Sequence, residues 1–198
     1  MYTLLYGLWK YMTQKEEYSV LILGLDNAGK TTYLEQTKIK FTRGYAGLRP
    51  SKVTTTVGLN IGKIDIHGVR INFWDLGGQE SLQALWDKYY SESHGVIYVV
   101  DSSCRDRLDE SRRSFERMVD NDALFGVPLL LIANKQDVPE AATATEIRQL
   151  FRECNIGNRD MHIVAASALH GEGIQDGITW LVEEMKRNLR RPPRNVDA

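Results

Sequence analysis

Between Gly24 and Thr31 the chain reads Gly-Leu-Asp-Asn-Ala-Gly-Lys-Thr, with Thr32 next. Two glycines, a lysine and a hydroxyl residue at this spacing fit a loop that cradles phosphate. The glycines let the backbone bend so that successive N–H groups across Leu25, Asp26, Asn27 and Ala28 turn inward around one phosphate. A helix starting near Gly29 adds its positive end to the same spot. Lys30 is placed to bridge β- and γ-phosphates, and the Thr31 hydroxyl can ligate Mg²⁺. The same string also occurs by chance in strand–turn–helix junctions, so its context decides. Here Tyr18 to Leu23 is an apolar, β-branched run that stops at Gly24. It reads as a strand buried on both faces that feeds the loop.

Three later stretches add chemistry. Val53 to Gly58 holds a threonine run. Such a run is ordinarily just solvated, but after a phosphate loop it is also where a second Mg²⁺ ligand is expected, and Thr56 is the candidate. Asp75-Leu76-Gly77-Gly78-Gln79-Glu80 ends an alternating run. An acidic residue followed by paired glycines suits a ligand that holds Mg²⁺ through water and a close backbone approach to phosphate. A plain strand–turn junction fits equally well. Asn134-Lys135-Gln136-Asp137 names a base. The Asp137 carboxylate can accept from the N1–H and N2 amino group of guanine. Adenine would set an acceptor against it, a mismatch that rejects the wrong purine. Asn134 can donate to the base edge and tie neighbouring loops together, and the Lys135 stem can lie along the base. Ser167-Ala168-Leu169 can bring a backbone N–H, that of Ala168, near guanine O6.

These residues need elements to position them. The helix after the phosphate loop is expected to reach about Lys38. Lys40 to Lys52 is basic, glycine-containing and poorly periodic, and reads as a mobile surface loop. Leu59–Ile66 and Val69–Trp74 alternate with period two around His67-Gly68, a tight hairpin. Gly95–Val100 is a further strand, and a helix over about 105–120 turns Leu108, Phe115, Met118 and Val119 inward. Pro128–Ala133 delivers Asn134. Thr143 to Glu146 forms a capping box. Met161–Ala166 is the last strand. A final helix over about 174–189 puts Ile178, Leu181, Val182, Met185 and Leu189 on one face, with Trp180 on or beside it. Alternating strands and helices imply an α/β domain with a mostly parallel six-stranded sheet, one antiparallel strand, and helices on both faces. Every motif falls at the carboxyl end of a strand, where such sheets bind ligands.

At each end the sequence leaves alternatives. Leu4, Leu5, Leu8, Trp9 and Met12 share a helical face, so residues 1–17 read as an amphipathic helix. It can lie in a membrane interface or pack permanently on the domain. The main domain spans 18–191. Residues 192–198 read as a flexible tail, and the basic stretch Lys186–Arg194 as a solvated helix end or a membrane-surface contact.

The chain has 198 residues, enough for one domain with a full core. At 42% hydrophobic and 26% charged it is no disordered chain. A net charge of -1 gives no basic field for nucleic acid. Cys104 and Cys154 lack metal-ligand spacing, which suits a reduced, intracellular protein. No apolar run is long enough to cross a bilayer, and no signal peptide or prenylation cysteine is expected. Tyr2 in place of glycine rules out N-myristoylation.

Gly24–Thr31, Thr56, Asp75–Gln79, Asn134–Asp137 and Ser167–Leu169 together resemble the five nucleotide-binding motifs of Ras-like small GTPases, in family order. The wording Gly24–Thr32, Trp74–Glu80 and Asn134–Asp137 resembles the Arf branch. The missing glycine at position 2 and a long loop between Lys38 and Thr56 depart from typical Arf proteins. With the Thr56–Asn60 wording they are similar to a Golgi member of that branch.

The resemblance implies a P-loop GTPase fold and a switch that binds GTP and GDP with Mg²⁺ and hydrolyses GTP slowly. Thr31 and Thr56 would hold the metal, with Asp75 acting through water. Gly78 N–H and the Thr56 backbone would touch the γ-phosphate, and Gln79 would orient the attacking water beside Lys30. It also implies an exchange factor, a GTPase-activating protein, effectors in the GTP state, and a monomer. The place would be cytosol and trans-Golgi membrane, reached through an integral-membrane receptor and an acetylated N-terminus, with a role in membrane trafficking. The Leu59–Asp75 hairpin would slide on GTP binding and displace the N-terminal helix. Two rivals are a P-loop ATPase or kinase, disfavoured by Asn134–Asp137, and a GTP-binding scaffold without hydrolysis, disfavoured by Gln79.

Overall fold

The computed structural model describes residues 15–48 and 52–195. The segment read as an amphipathic helix therefore lies outside the described residues up to position 14. Its last two residues, Glu16 and Glu17, belong to the first strand instead.

β1 (Glu16–Leu23) runs into the phosphate loop and α1 (Lys30–Phe41). β2 (Leu59–Ile66) and β3 (Val69–Leu76) form the hairpin. His67 and Gly68 both adopt positive φ, 48° and 84°. That is the backbone a two-residue turn requires between twisted strands. Two single turns, α2 (Glu80–Gln83) and α3 (Asp87–Tyr90), precede β4 (Gly95–Asp101). A 3₁₀ turn at Arg105–Arg107 leads into α4 (Leu108–Val119). β5 (Leu129–Asn134), α5 (Ala144–Phe151), β6 (Met161–Ala165) and α6 (Ile174–Arg187) follow.

The strand order is β2-β3-β1-β4-β5-β6. Only the β2–β3 pair on this path is antiparallel. The alternation of each strand divides the core into two layers. Val20 and Ile22 of β1 face α1 and α6, among Tyr33, Leu34, Ile178 and Leu181. Leu21 and Leu23 face α4 and α5, among Phe115, Met118, Ile147 and Phe151. Strands covered on both sides are apolar along most of their length, which is why Val20–Leu23, Gly95–Val100 and Leu129–Ala133 read as unbroken runs. The Thr143 hydroxyl accepts from Glu146 N, and the Glu146 carboxylate accepts from Thr143 N, closing the capping box. Among the described residues no helix is long and apolar enough to cross a membrane.

Four expectations shift. α1 runs to Phe41 rather than Lys38, and the loop after it is tied back to α1 as far as Leu48. The Glu35 carboxylate, 4% exposed, accepts from Tyr45 Oη at 2.7 Å and from Leu48 N at 3.2 Å. The final helix ends at Arg187, which leaves Leu189 92% exposed instead of on the core face. The tail does not fray at its prolines. β7 (Arg194–Asn195) pairs antiparallel with Glu16–Glu17 and adds a seventh, two-residue strand. Arg191 secures it by donating to the carbonyls of Ser91 and Ser93, while the His94 ring bridges Ser19 N and Pro192 O.

Candidate nucleotide-binding site

The site forms where β1 lies between β3 and β4, at the strands' carboxyl ends. Such a switch point leaves a crevice for a ligand. Gly24 turns the chain out of β1 with φ 134°, and any Cβ there would strike Val99 O. Only glycine allows both. Gly29 then caps α1, so Lys30 opens the helix pointing back into the loop. The Lys30 ammonium is 6% exposed and donates to Gly24 O (3.0 Å) and Leu25 O (2.7 Å). Burial lowers its pKa to about 8, although the nearby Asp75 and Asp26 charges pull it upward. Gly78 packs against the same loop, where a Cβ would collide with Gly24 O, Leu25 C and Lys30 Nζ. A side chain at 78 would thus fill the space beside the Lys30 ammonium.

Thr31, Thr56 and Asp75 come from α1, the following loop and β3, yet they meet. Thr31 Oγ1 donates to Asp75 Oδ2 at 2.6 Å and lies 2.7 Å from Thr56 Oγ1. Thr56 Oγ1 is 3.3 Å from the same carboxylate oxygen. The other oxygen, Asp75 Oδ1, is buried without a hydrogen-bond partner among the described residues. Burial pushes the Asp75 carboxyl above its ordinary range, against the hydrogen bond from Thr31 and the Lys30 charge. A fully buried carboxylate with a free oxygen, beside two hydroxyls, is a hard-oxygen set that can take a small divalent cation. Asp26, Asn27, Thr32 and Val53 to Thr56 complete the walls of a cavity of about 290 Å³ next to it.

The residues expected to read a base gather on the β5 side. Asn134, 2% exposed, donates from Nδ2 to Ala28 O (2.8 Å) and accepts at Oδ1 from Ala168 N (2.9 Å). It ties three loops together, as its type suggests. The same contact occupies the Ala168 N–H that was expected to face guanine O6. Ser167 Oγ donates to Asp137 Oδ1 at 2.5 Å and aims that exposed carboxylate. Leu169 is 48% exposed and its carbonyl accepts from Gln36. Of this set only Lys135 reaches the phosphate cavity wall. Gln79 is exposed at the start of α2 and outside that wall.

Two residues escape sequence reading. Asp101, at the end of β4, accepts from Lys135 Nζ at 2.6 Å. Burial alone would raise its pKa, but the Lys135 and Ser103 hydrogen bonds hold it below the ordinary value. An acidic residue at a strand's carboxyl end was a legible signal for it. Arg107, which bonds Asp26, carries no local signal.

The sequence model of the ADP-ribosylation factor family matches residues 5–185. A bovine protein named ADP-ribosylation factor-related protein 1 is 58% identical over 199 aligned residues, covering 100% of this chain and 99% of its own. A Saccharomyces cerevisiae protein, ADP-ribosylation factor-like protein 3, is 43% identical over 98% of each. Among solved structures, the Arl6 BBS3 small GTPase of Trypanosoma brucei, with the bound nucleotide analogue GppNp, superposes with a TM-score of 0.75. It is 32% identical and covers 87% of this chain and 99% of its own.

Proposed function

This chain belongs to the ADP-ribosylation factor family and is a GTP-binding, GTP-hydrolysing small GTPase; from that premise we propose that it is a Mg²⁺-dependent switch acting on Golgi membranes in trafficking. The observation that carries the switch is the meeting of Thr31, Thr56 and Asp75 beside Lys30. Thr56 lies in a loop and Asp75 precedes Gly77-Gly78. A γ-phosphate that engages them would order both segments at once.

Thr31 and Thr56 would hold Mg²⁺, with Asp75 acting through water. When bound, Mg²⁺ would supply positive charge to offset the charge of the phosphates. Lys30 leaves the carbonyls of Gly24 and Leu25 to bridge the same phosphates. Gly78 and the Thr56 backbone offer the N–H groups that distinguish GTP from GDP. Gln79 swings inward from its exposed position to orient water once the γ-phosphate is seated. Asp137, fixed by Ser167, reads guanine.

The Golgi part rests on the resemblance read from Tyr2, the long loop and Thr56–Asn60. In this reading the hairpin slides on GTP binding. It must then release Lys186 Nζ, which donates to His67 O at 2.8 Å. The N-terminal segment, with Leu4, Leu8 and Trp9, turns to the membrane or an integral-membrane receptor. An exchange factor, an activating protein and GTP-state effectors complete the cycle around a monomer that has no use for nucleic acid.

The test is twofold. Single-turnover hydrolysis with an activating protein should fall at least ~100-fold in Gln79→Leu, while GTP stays bound. Normal stimulated turnover in that variant removes Gln79 from its role. Sedimentation with Golgi membranes should require GTP, and equal sedimentation in both nucleotide states defeats the membrane switch.

A further inference from the structure

The phosphate loop contains a carboxylate, Asp26, among residues that must receive an anion. Asp26 lines the cavity together with Lys30 and Gly29. Left alone, its charge would oppose the phosphates, and most strongly the nucleotide that carries more of them. The chain answers with an arginine 81 residues further on. Arg107, in the 3₁₀ turn after β4, donates from Nη2 to Asp26 Oδ1 at 2.8 Å. It also donates from Nη1 to Asp26 O at 3.5 Å, and to Glu110 at 2.9 Å from Nε and 3.1 Å from Nη2. The second carboxylate oxygen of Asp26 accepts from Asn27 Nδ2 at 3.3 Å. Glu110 therefore orients the guanidinium, and the guanidinium covers Asp26.

Both charges lie where the phosphates must be gripped. Asp26 shares the cavity wall with the Lys30 ammonium, and Arg107 is bound to Asp26. A charge on that wall acts on any phosphate oxygen that enters the cavity.

We propose that Arg107 is a specificity-determining residue that cancels the Asp26 charge and so sets how far the site prefers GTP to GDP. This rests on the GTP-switch reading above. Arg107 acts on the nucleotide through Asp26. It is a positioning and charge-balancing residue and transfers nothing itself.

The experiment measures GTP and GDP affinities side by side for the full chain. Arg107→Gln should lower the GTP-to-GDP affinity ratio roughly threefold to tenfold. The effect is modest because the two side chains are 35% and 30% exposed and solvent screens the pair. Arg107→Lys, which keeps the charge, should hold the ratio near wild type. Adding Asp26→Asn to Arg107→Gln should restore it, and raising the salt should shrink the difference. An unchanged ratio in Arg107→Gln overturns the proposal. So does equal weakening of both nucleotides without rescue by Asp26→Asn, since that marks a purely structural brace. If the wild-type chain binds neither nucleotide, the switch reading fails and takes this inference with it. Tight, equal changes across all variants sink the inference alone.

Discussion

Asn134→Ala tests whether one buried amide holds the site together. The side chain is 2% exposed and makes two hydrogen bonds, from Nδ2 to Ala28 O and from Ala168 N to Oδ1. Ala28 and Ala168 are themselves only 1% and 2% exposed, so water does not readily replace what is lost. The truncation orphans one buried carbonyl and one buried N–H. Each costs about 1–3 kcal/mol, so unfolding stability should fall by roughly 2–6 kcal/mol. For a domain of this size that is a drop in melting temperature of roughly 5–20 °C. The phosphate loop and the Ser167–Leu169 turn are then no longer coupled through Asn134, and GDP should dissociate about tenfold faster or more. Urea unfolding at fixed GDP gives the stability, and hydrogen exchange at the Ala168 amide gives the local effect. A loss below about 1 kcal/mol with Ala168 still protected would refute the reasoning.

Other perturbations reach separate parts of the argument. Without nucleotide the Lys30 pKa lies at about 8, below its ordinary 10.5, so the folded chain binds fewer protons than the unfolded one between those values. Its contribution to stability is full above the upper value and is lost as pH falls through about 8. Phosphates should restore the ammonium, so calorimetry in buffers of different ionisation enthalpy should record uptake of roughly half a proton near pH 8 and none near pH 6. Gly78→Ala should weaken GTP by about tenfold or more and GDP by less than about threefold in equilibrium titrations, because overpacking there falls on Gly24, Leu25 and Lys30. Thr143→Ala removes the capping box of α5 and should cost about 1 kcal/mol in thermal unfolding. Nucleotide affinity in that variant should stay unchanged, since the cap lies outside the cavity wall.

Legibility followed range along the chain. The phosphate loop, the His67-Gly68 turn and the Thr143–Glu146 box each complete their hydrogen bonds within a few residues, so residue type and spacing announce them. The two-layered core was legible because Val20 and Leu21 must face opposite ways in any strand. Helix ends were read less well. Leu189 continued the apolar period, but the helix stops two residues earlier, and periodicity does not report where backbone hydrogen bonding ceases.

By itself the sequence determined the order of the main strands and helices and which residue types stand at the strands' carboxyl ends. Those depend on local backbone preference and on functional groups that keep their character in any fold. Tertiary structure alone decided which partners those groups take. It set Arg107 on Asp26, Asp101 on Lys135, Asn134 between Ala28 and Ala168, and Arg194–Asn195 beside Glu16–Glu17. Asn134 and Ala28 are 106 positions apart. Only the sheet, by stacking β1, β4 and β5 edge to edge, brings such residues within hydrogen-bonding distance. No pattern along the chain encodes a distance that the packing creates.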